Sequence, residues 1–184
     1  MQSGEENYRR FLSGDKEGLS ELVRQYRDGL LLYINSIVGN TDTAEELMED
    51  TFVKLYVKKP RFSGKSTFKT WLYSIARFTA VDYLRKSSRL REVSLNEAFQ
   101  TASAEDAERE LIKDEDKITL HKALSRLKPE YSQILYLIYF EDFTGTEAAV
   151  IMKKTSKQIR DLLYNAKKAL RKELEKEGFS YEEL

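Results

Sequence analysis

Between Phe68 and Tyr83 the residues Phe68, Trp71, Leu72, Ile75, Ala76, Thr79 and Tyr83 recur at steps of three and four. That spacing places them on one face of a helix and makes the face a buried one. Similar spacing runs through most of the chain. Only 2 Pro and 8 Gly in 184 residues interrupt it. The expected fold is therefore all-α, with long helices and a total length suited to one or two small domains.

The helices can be followed in order. Residues 5–12 suit a short helix. Asp15 can cap a longer one, with Leu19, Leu22, Val23, Tyr26, Leu30, Tyr33, Ile34 and Ile37 on its apolar face and Gly39-Asn40 at its end. Thr43 and Glu46 stand at capping-box spacing and open the next helix. Its buried face is Leu47, Met48, Thr51, Phe52, Leu55 and Tyr56, and Pro60 stops it. Ser66 then caps the helix that begins near Phe68. From Ser87 to about Lys113 large apolar residues are few (Leu90, Val93, Leu95, Phe99). This segment reads either as a linker, partly helical near its end, or as an amphipathic stretch packed on a domain. A second helical domain opens near Asp114, marked by Ile118, Leu120, Leu124 and Leu127. Pro129 starts the next helix, which carries Ile134, Leu135, Leu137, Ile138 and Phe140. The expected division is 1–87, a linker at 88–113, and 114–184.

Charge supplies the first functional signal. The formal net charge is +0, from 31 basic and 31 acidic residues, yet the signs are sorted into blocks. Asn40 to Asp50 is acidic, Val53 to Arg91 basic, Glu92 to Asp116 acidic and Lys153 to Lys172 basic. Within Val53–Arg91 the sole acid is Asp82, and aromatics are threaded among the cations. Cations attract phosphates and aromatic faces stack unpaired bases, so this stretch points to nucleic acid. Lys69, Tyr73, Arg77, Phe78 and Arg85 fall away from the apolar stripe. Phe62, Tyr73 and Phe78 suit a core position and a ligand contact equally.

Residues 144–168 have the layout of a helix-turn-helix. Thr144 and Glu147 form a capping box, Ala148, Ala149 and Ile151 face inward, and Lys153-Lys154-Thr155 turns the chain. Thr155 with Gln158 can cap the second helix, whose inward residues are Ile159, Leu162, Leu163 and Ala166. Its outward residues include Lys157, Gln158, Arg160, Asp161, Tyr164, Asn165, Lys167 and Lys168. In such motifs the start of the second helix enters the major groove, where Gln, Arg and Lys read base edges. A solvated amphipathic helical hairpin has the same pattern.

Several chemistries find no support. The chain has no Cys, and the single histidine, His121, cannot build a metal site alone. There is no Ser-His-Asp arrangement or Gly-rich phosphate loop, so neither enzyme activity, a metal nor a cofactor is expected. No apolar run reaches membrane-spanning length, and MQSGEENYRR lacks a signal-peptide core. No membrane insertion and a cytoplasmic location are the expectations.

The order of these parts resembles bacterial RNA polymerase sigma factors of the small, two-domain, extracytoplasmic-function (ECF) type. Two stretches carry the likeness: Ala44-Glu45-Glu46-Leu47-Met48-Glu49-Asp50-Thr51-Phe52, and Phe68-Lys69-Thr70-Trp71-Leu72-Tyr73-Ser74-Ile75-Ala76-Arg77. Glu147-Ala148-Ala149, Gln158-Ile159 and Ala166 to Leu170 add to it. The resemblance implies a promoter-specificity subunit that binds core RNA polymerase through Glu46, Glu49, Asp50 and Phe52. It implies −10 recognition, as the duplex melts, by Arg61, Phe62, Lys65, Lys69, Tyr73, Arg77, Phe78 and Arg85. It implies −35 recognition by Thr155, Lys157, Gln158, Arg160, Asp161, Tyr164 and Lys168. It also implies an anti-sigma protein as a further partner. The two promoter elements lie ~50–70 Å apart, and a linker of about 25 residues reaches ~80 Å when extended.

The chain departs from the family pattern at four places. Glu49 replaces a usual Gln, Phe78 a usual Asn, Lys153 a usual Gly in the turn, and Asn165 a usual Arg. Lys153 must therefore accept left-handed backbone or mark a different turn. Two other functions share the same residues. One is a stand-alone helix-turn-helix regulator that dimerises through its first domain. The other is a helical protein-interaction adaptor whose charge blocks are partner faces.

Overall fold

The computed structural model describes residues 3–93 and 115–176, and every regular element among them is helical. The expected linker, with Leu95 and Phe99, lies outside them. The first unit contains α1 (Gly4–Leu12), α2 (Glu17–Val38), α3 (Thr41–Lys58) and α4 (Phe68–Val93). The second contains α5 (Glu115–Ser125), α6 (Pro129–Leu135) continued by a π-helical segment (Tyr136–Phe140), α7 (Gly145–Met152) and α8 (Ser156–Lys176).

Local signals set most boundaries. Ser3 caps α1 by accepting from the Glu6 N–H at 3.2 Å. Asp15 accepts from the Glu17 N–H at 3.0 Å and binds the Arg10 guanidinium. Gly39 ends α2 with φ 70°, a left-handed conformation that costs glycine nothing. Two caps differ from expectation. Asn40, not Thr43, opens α3, because the Asn40 side chain accepts from the Thr43 N–H at 2.8 Å. Thr67, not Ser66, opens α4, accepting from the Thr70 N–H at 3.2 Å. At its other end α4 continues to Val93, past the expected domain edge at residue 87.

α1, α2, α3 and α4 enclose Leu22, Leu30, Tyr33, Ile34, Leu55, Leu72 and Ala76, all fully buried. Each buried leucine or isoleucine contributes about 2–3 kcal/mol. An aromatic group of Tyr8, Phe62, Phe68 and Trp71, with ring centroids 5.3–5.6 Å apart, closes one end. The Tyr8 hydroxyl donates to the Pro60 carbonyl at 2.7 Å and so ties α1 to the loop before α4.

The second unit folds back onto the first. α6 and the π segment pack on α2, α7 packs on α4, and the buried side chains of both units form one continuous apolar cluster. This packing revises the reading of α4. Tyr73 lies off the apolar stripe and by sequence suits a core position and a ligand contact equally; it is fully buried between Tyr33 and Phe143, at centroid distances of 5.4 and 5.0 Å. Tyr83 was expected on the apolar face and is exposed instead. α4 carries two buried faces near its start, one for each unit, and a solvated end.

Candidate polymerase and nucleic-acid interfaces

Three surfaces collect the residues with chemistry. The first is the outer face of α3. Glu46, Glu49 and Asp50 are exposed and lie one helical turn apart. Val53, Tyr56 and Val57 extend the same helix with 54%, 53% and 69% exposure. Large apolar side chains left in water beside an acidic row suit a protein partner with a basic, partly apolar surface. Phe52 does not belong to this face. It is buried, so any contribution to polymerase binding acts through the packing that holds α3 in place.

The second surface is the loop before α4 together with the helix's first turns. Arg61 and Lys65 are exposed on the loop, and Arg85 is exposed further along the helix. Phe62 is half-buried against Phe68 and Trp71. Phe78 is 55% exposed, and the Lys153 ammonium lies 5.8 Å from its ring centre. Lys69, Tyr73 and Arg77, by contrast, meet the second unit. The Lys69 ammonium is 2.9 Å from the Glu141 carboxylate and donates to the Glu141 carbonyl at 2.7 Å. It also lies 4.8 Å from the centre of the Phe143 ring. Arg77 donates to Gln133 at 3.4 Å. Burial, with the Glu141 carboxylate beside it, holds the Tyr73 phenol well above its ordinary pKa.

Two hydroxyls escaped the sequence reading. Thr67 and Thr70 reach Glu147 Oε1 at 3.3 and 3.1 Å. The other carboxylate oxygen, Oε2, stays with α7: it accepts from the Thr144 N–H at 3.0 Å and the Thr144 hydroxyl at 2.8 Å. These bonds, led by the backbone one, hold the Glu147 carboxyl below its usual pKa. Gly29 was missed too. A Cβ there would run into Glu141 Oε1 and the Tyr73 hydroxyl, so the bare position in α2 admits the second unit. Its sequence signal was a glycine inside a strong helical pattern, which implies a close approach.

The third surface is the helix-turn-helix. The capping box of Thr144 and Glu147 opens α7 as expected. Lys153 makes the turn with φ 53°, the left-handed geometry that glycine would adopt without strain. Thr155 and Gln158 form a second box. Gln158 N–H donates to the Thr155 hydroxyl at 3.2 Å, and Thr155 N–H to Gln158 Oε1 at 2.8 Å. Ile159 and Ala166 are buried beneath α8, and Leu162 and Leu163 are half-buried. Lys157, Arg160, Asp161, Tyr164 and Lys168 all point to solvent, with Tyr164 70% exposed. A solvated hairpin does not require two boxed helix starts joined by a left-handed turn.

Among the described residues no cluster of His, Asp and Glu could hold a metal ion. None of the described helices is long and apolar enough to cross a membrane.

Comparisons with known proteins place both units in one family. The family model for sigma-70 region 2 matches residues 22–90, and that for sigma-70 region 4 matches residues 117–170. The RNA polymerase sigma factor SigV of Bacillus subtilis is 32% identical, over 79% of this chain and 84% of its own. The sigma factor YlaC of the same organism is 29% identical, over 88% and 94%. Among solved structures, the sigma factor RpoE of Bartonella quintana, crystallised with the anti-sigma factor NepR, superimposes with a TM-score of 0.72. It shares 24% identity and covers 85% of this chain and 96% of that one. The chain belongs to the RNA polymerase sigma factors of the ECF type, which direct transcription initiation and are regulators rather than enzymes.

Proposed function

We propose that the three surfaces divide the work of a sigma factor. The first unit, taken to the end of α4, binds core polymerase and the −10 element, and residues 115–176 read the −35 element. On α3, Glu46, Glu49 and Asp50 pair with basic side chains of the polymerase while Val53, Tyr56 and Val57 supply apolar contact. Arg61, Lys65, Lys69, Arg77 and Arg85 hold the phosphates of the melting −10 strand, with Phe62 and Phe78 offering faces to its bases. Tyr73 supports that face from beneath while the units are packed together. Gln158 and Arg160 reach base edges in the −35 major groove, Asp161 accepts from a base amino group, and Thr155, Lys157, Tyr164 and Lys168 flank them toward the backbone.

The observation that carries this reading is the start of α8. A boxed, left-handed turn presents Lys157, Gln158, Arg160 and Asp161 together on the exposed side of the helix. An anti-sigma protein, the kind of partner with which RpoE of Bartonella quintana was crystallised, is a further proposed partner. The test is transcription in vitro with purified core polymerase and fragmented genomic DNA. Discrete starts that share upstream elements, appear only with this chain and lose selectivity with Arg160→Ala support the reading. Starts that appear without it, or none beyond an active core control, refute it.

A further inference from the structure

α8 carries a cationic and aromatic face that the proposed DNA contacts use only in part. Tyr164, Lys167, Lys168 and Arg171 fall at steps of three and four, so they share one side of the helix. The π segment sets Tyr139 beside them, and these side chains wall a groove of about 580 Å³ with Leu135 and Leu170 at its base. That volume falls within the ~300–1,000 Å³ of ordinary small-molecule sites. Tyr139 is 52% exposed and Tyr164 70%, so both rings keep surface for a further planar group. The Lys167 ammonium stands 5.3 Å from the centre of the Tyr139 ring, which puts a cation directly beside the aromatic wall.

Charge decides the class of occupant. Among the described residues no carboxylate lines the groove, while two lysines and an arginine do. Arg171 is shared with Glu175 at 3.3 Å, in a pair more than half exposed on both sides and so easily exchanged for a stronger anion. Three cations around an aromatic groove turn away cationic and purely apolar ligands. They ask for an anion that also carries a flat ring. A nucleotide has both parts: a base that stacks on a phenol ring, and phosphates that take up ammonium and guanidinium groups. Three positive charges gathered at one end match a di- or triphosphate better than the singly charged, evenly spaced phosphates of a strand.

We propose that this groove binds a nucleoside di- or triphosphate, its base on Tyr139 and Tyr164 and its phosphates on Lys167, Lys168 and Arg171. Tyr164 and Lys168 also belong to the proposed −35 contact. A bound nucleotide therefore takes two groups from that contact and weakens the hold on duplex DNA. Gln158 and Arg160, nearer the start of α8, are not part of the groove and stay available. The nucleotide site stands on the groove alone, and the competition rests on the −35 reading given above.

The experiment uses the full chain. Isothermal calorimetry without magnesium, at matched ionic strength, compares ATP and GTP with inorganic tripolyphosphate. The triphosphates should bind about tenfold more tightly than tripolyphosphate, the scale of one stacked base. Tyr139→Ala, and Tyr139→Leu as a variant that keeps apolar bulk, should erase that preference after circular dichroism shows unchanged helicity. Lys167→Gln with Arg171→Gln should weaken both kinds of ligand at least tenfold. Fluorescence anisotropy with a pool of random duplexes of roughly 20 base pairs then reads the competition, and saturating GTP should lower duplex affinity about fivefold through the loss of Lys168 and Tyr164. Equal binding of GTP and tripolyphosphate overturns the nucleotide assignment. A Kd above about 1 mM for every ligand, or binding that the Tyr139 and Lys167 variants leave untouched, removes the site. Tight nucleotide binding with unchanged duplex affinity overturns the competition and takes Tyr164 and Lys168 off the −35 contact, while the nucleotide site stands.

Discussion

Acidification offers a test of the second unit's interior through one side chain. His121 is the single histidine of the chain, so its ring protons are identified in an NMR spectrum without further variants. It is 5% exposed, hydrogen-bonded through Nδ1 to the Tyr136 hydroxyl, and packed against Phe140 at 5.4 Å. Burial lowers its pKa from 6.5 to about 4. The unfolded chain therefore takes up a proton near pH 6.5, and the folded chain only near pH 4. Between those values the unfolded state binds more protons, so stability falls as the pH drops through the window. At about 1.4 kcal/mol per pH unit, the whole window removes ~3 kcal/mol. In a tag-free sample the ring resonances should titrate with a midpoint near 4, and in urea near 6.5. Urea unfolding at about pH 7 and about pH 4.5 should show the loss, and His121→Phe should lack that part of the pH dependence. A folded-state midpoint at or above about 6, or parallel pH dependence in the two proteins, would refute the reasoning.

Other expectations follow from single positions. The Tyr33 hydroxyl is buried with no hydrogen-bond partner among the described residues, so Tyr33→Phe should leave thermal stability unchanged or raise it by about 1 kcal/mol. Lys153→Gly relieves a left-handed backbone at φ 53° and should raise stability by about 1 kcal/mol in urea unfolding, less whatever the contact with Phe78 contributed. Leu72 is fully buried, and Leu72→Ala should cost about 2–5 kcal/mol by the same measurement. Glu46→Lys with Glu49→Lys should weaken binding to core polymerase at least tenfold in a pull-down titration, as like charges face each other. Unchanged affinity would remove α3 from the polymerase contact.

Most of the helical layout could be read directly from the residues. Thr144 and Glu147 box α7, Gly39 closes α2 and Pro129 starts α6, because each of these signals acts within a few residues of itself. The displaced caps share one cause. Several residues near a helix start can accept an N–H, and packing chooses among them: Asn40 over Thr43, Thr67 over Ser66. Tyr73 and Tyr83 show a different limit. Period 3.6 identifies one apolar stripe, and α4 has two near its head because a second unit lies there. Tyr73 faces that unit, and the stripe runs out before Tyr83. The π segment at Tyr136–Phe140 also carries no signature, since its apolar residues read equally as α-helix. The acidic row on α3 and the outward residues of α8 were plain because nothing packs on them. The occupancy of Lys69 was hidden, because its partner Glu141 lies 72 positions away in sequence.

The two oxygens of Glu147 divide their bonds cleanly. Oε2 serves Thr144 within the helix-turn-helix, and Oε1 serves Thr67 and Thr70 across the junction. Parting the units breaks the Oε1 bonds, together with those of Lys69 to Glu141 and Arg77 to Gln133, and leaves the Oε2 bonds in place. The cap of α7 therefore survives the parting. Whatever parts the units must also bring Tyr73 and Phe143 out of their shared apolar contact, so undocking costs far more than the loss of a surface ion pair.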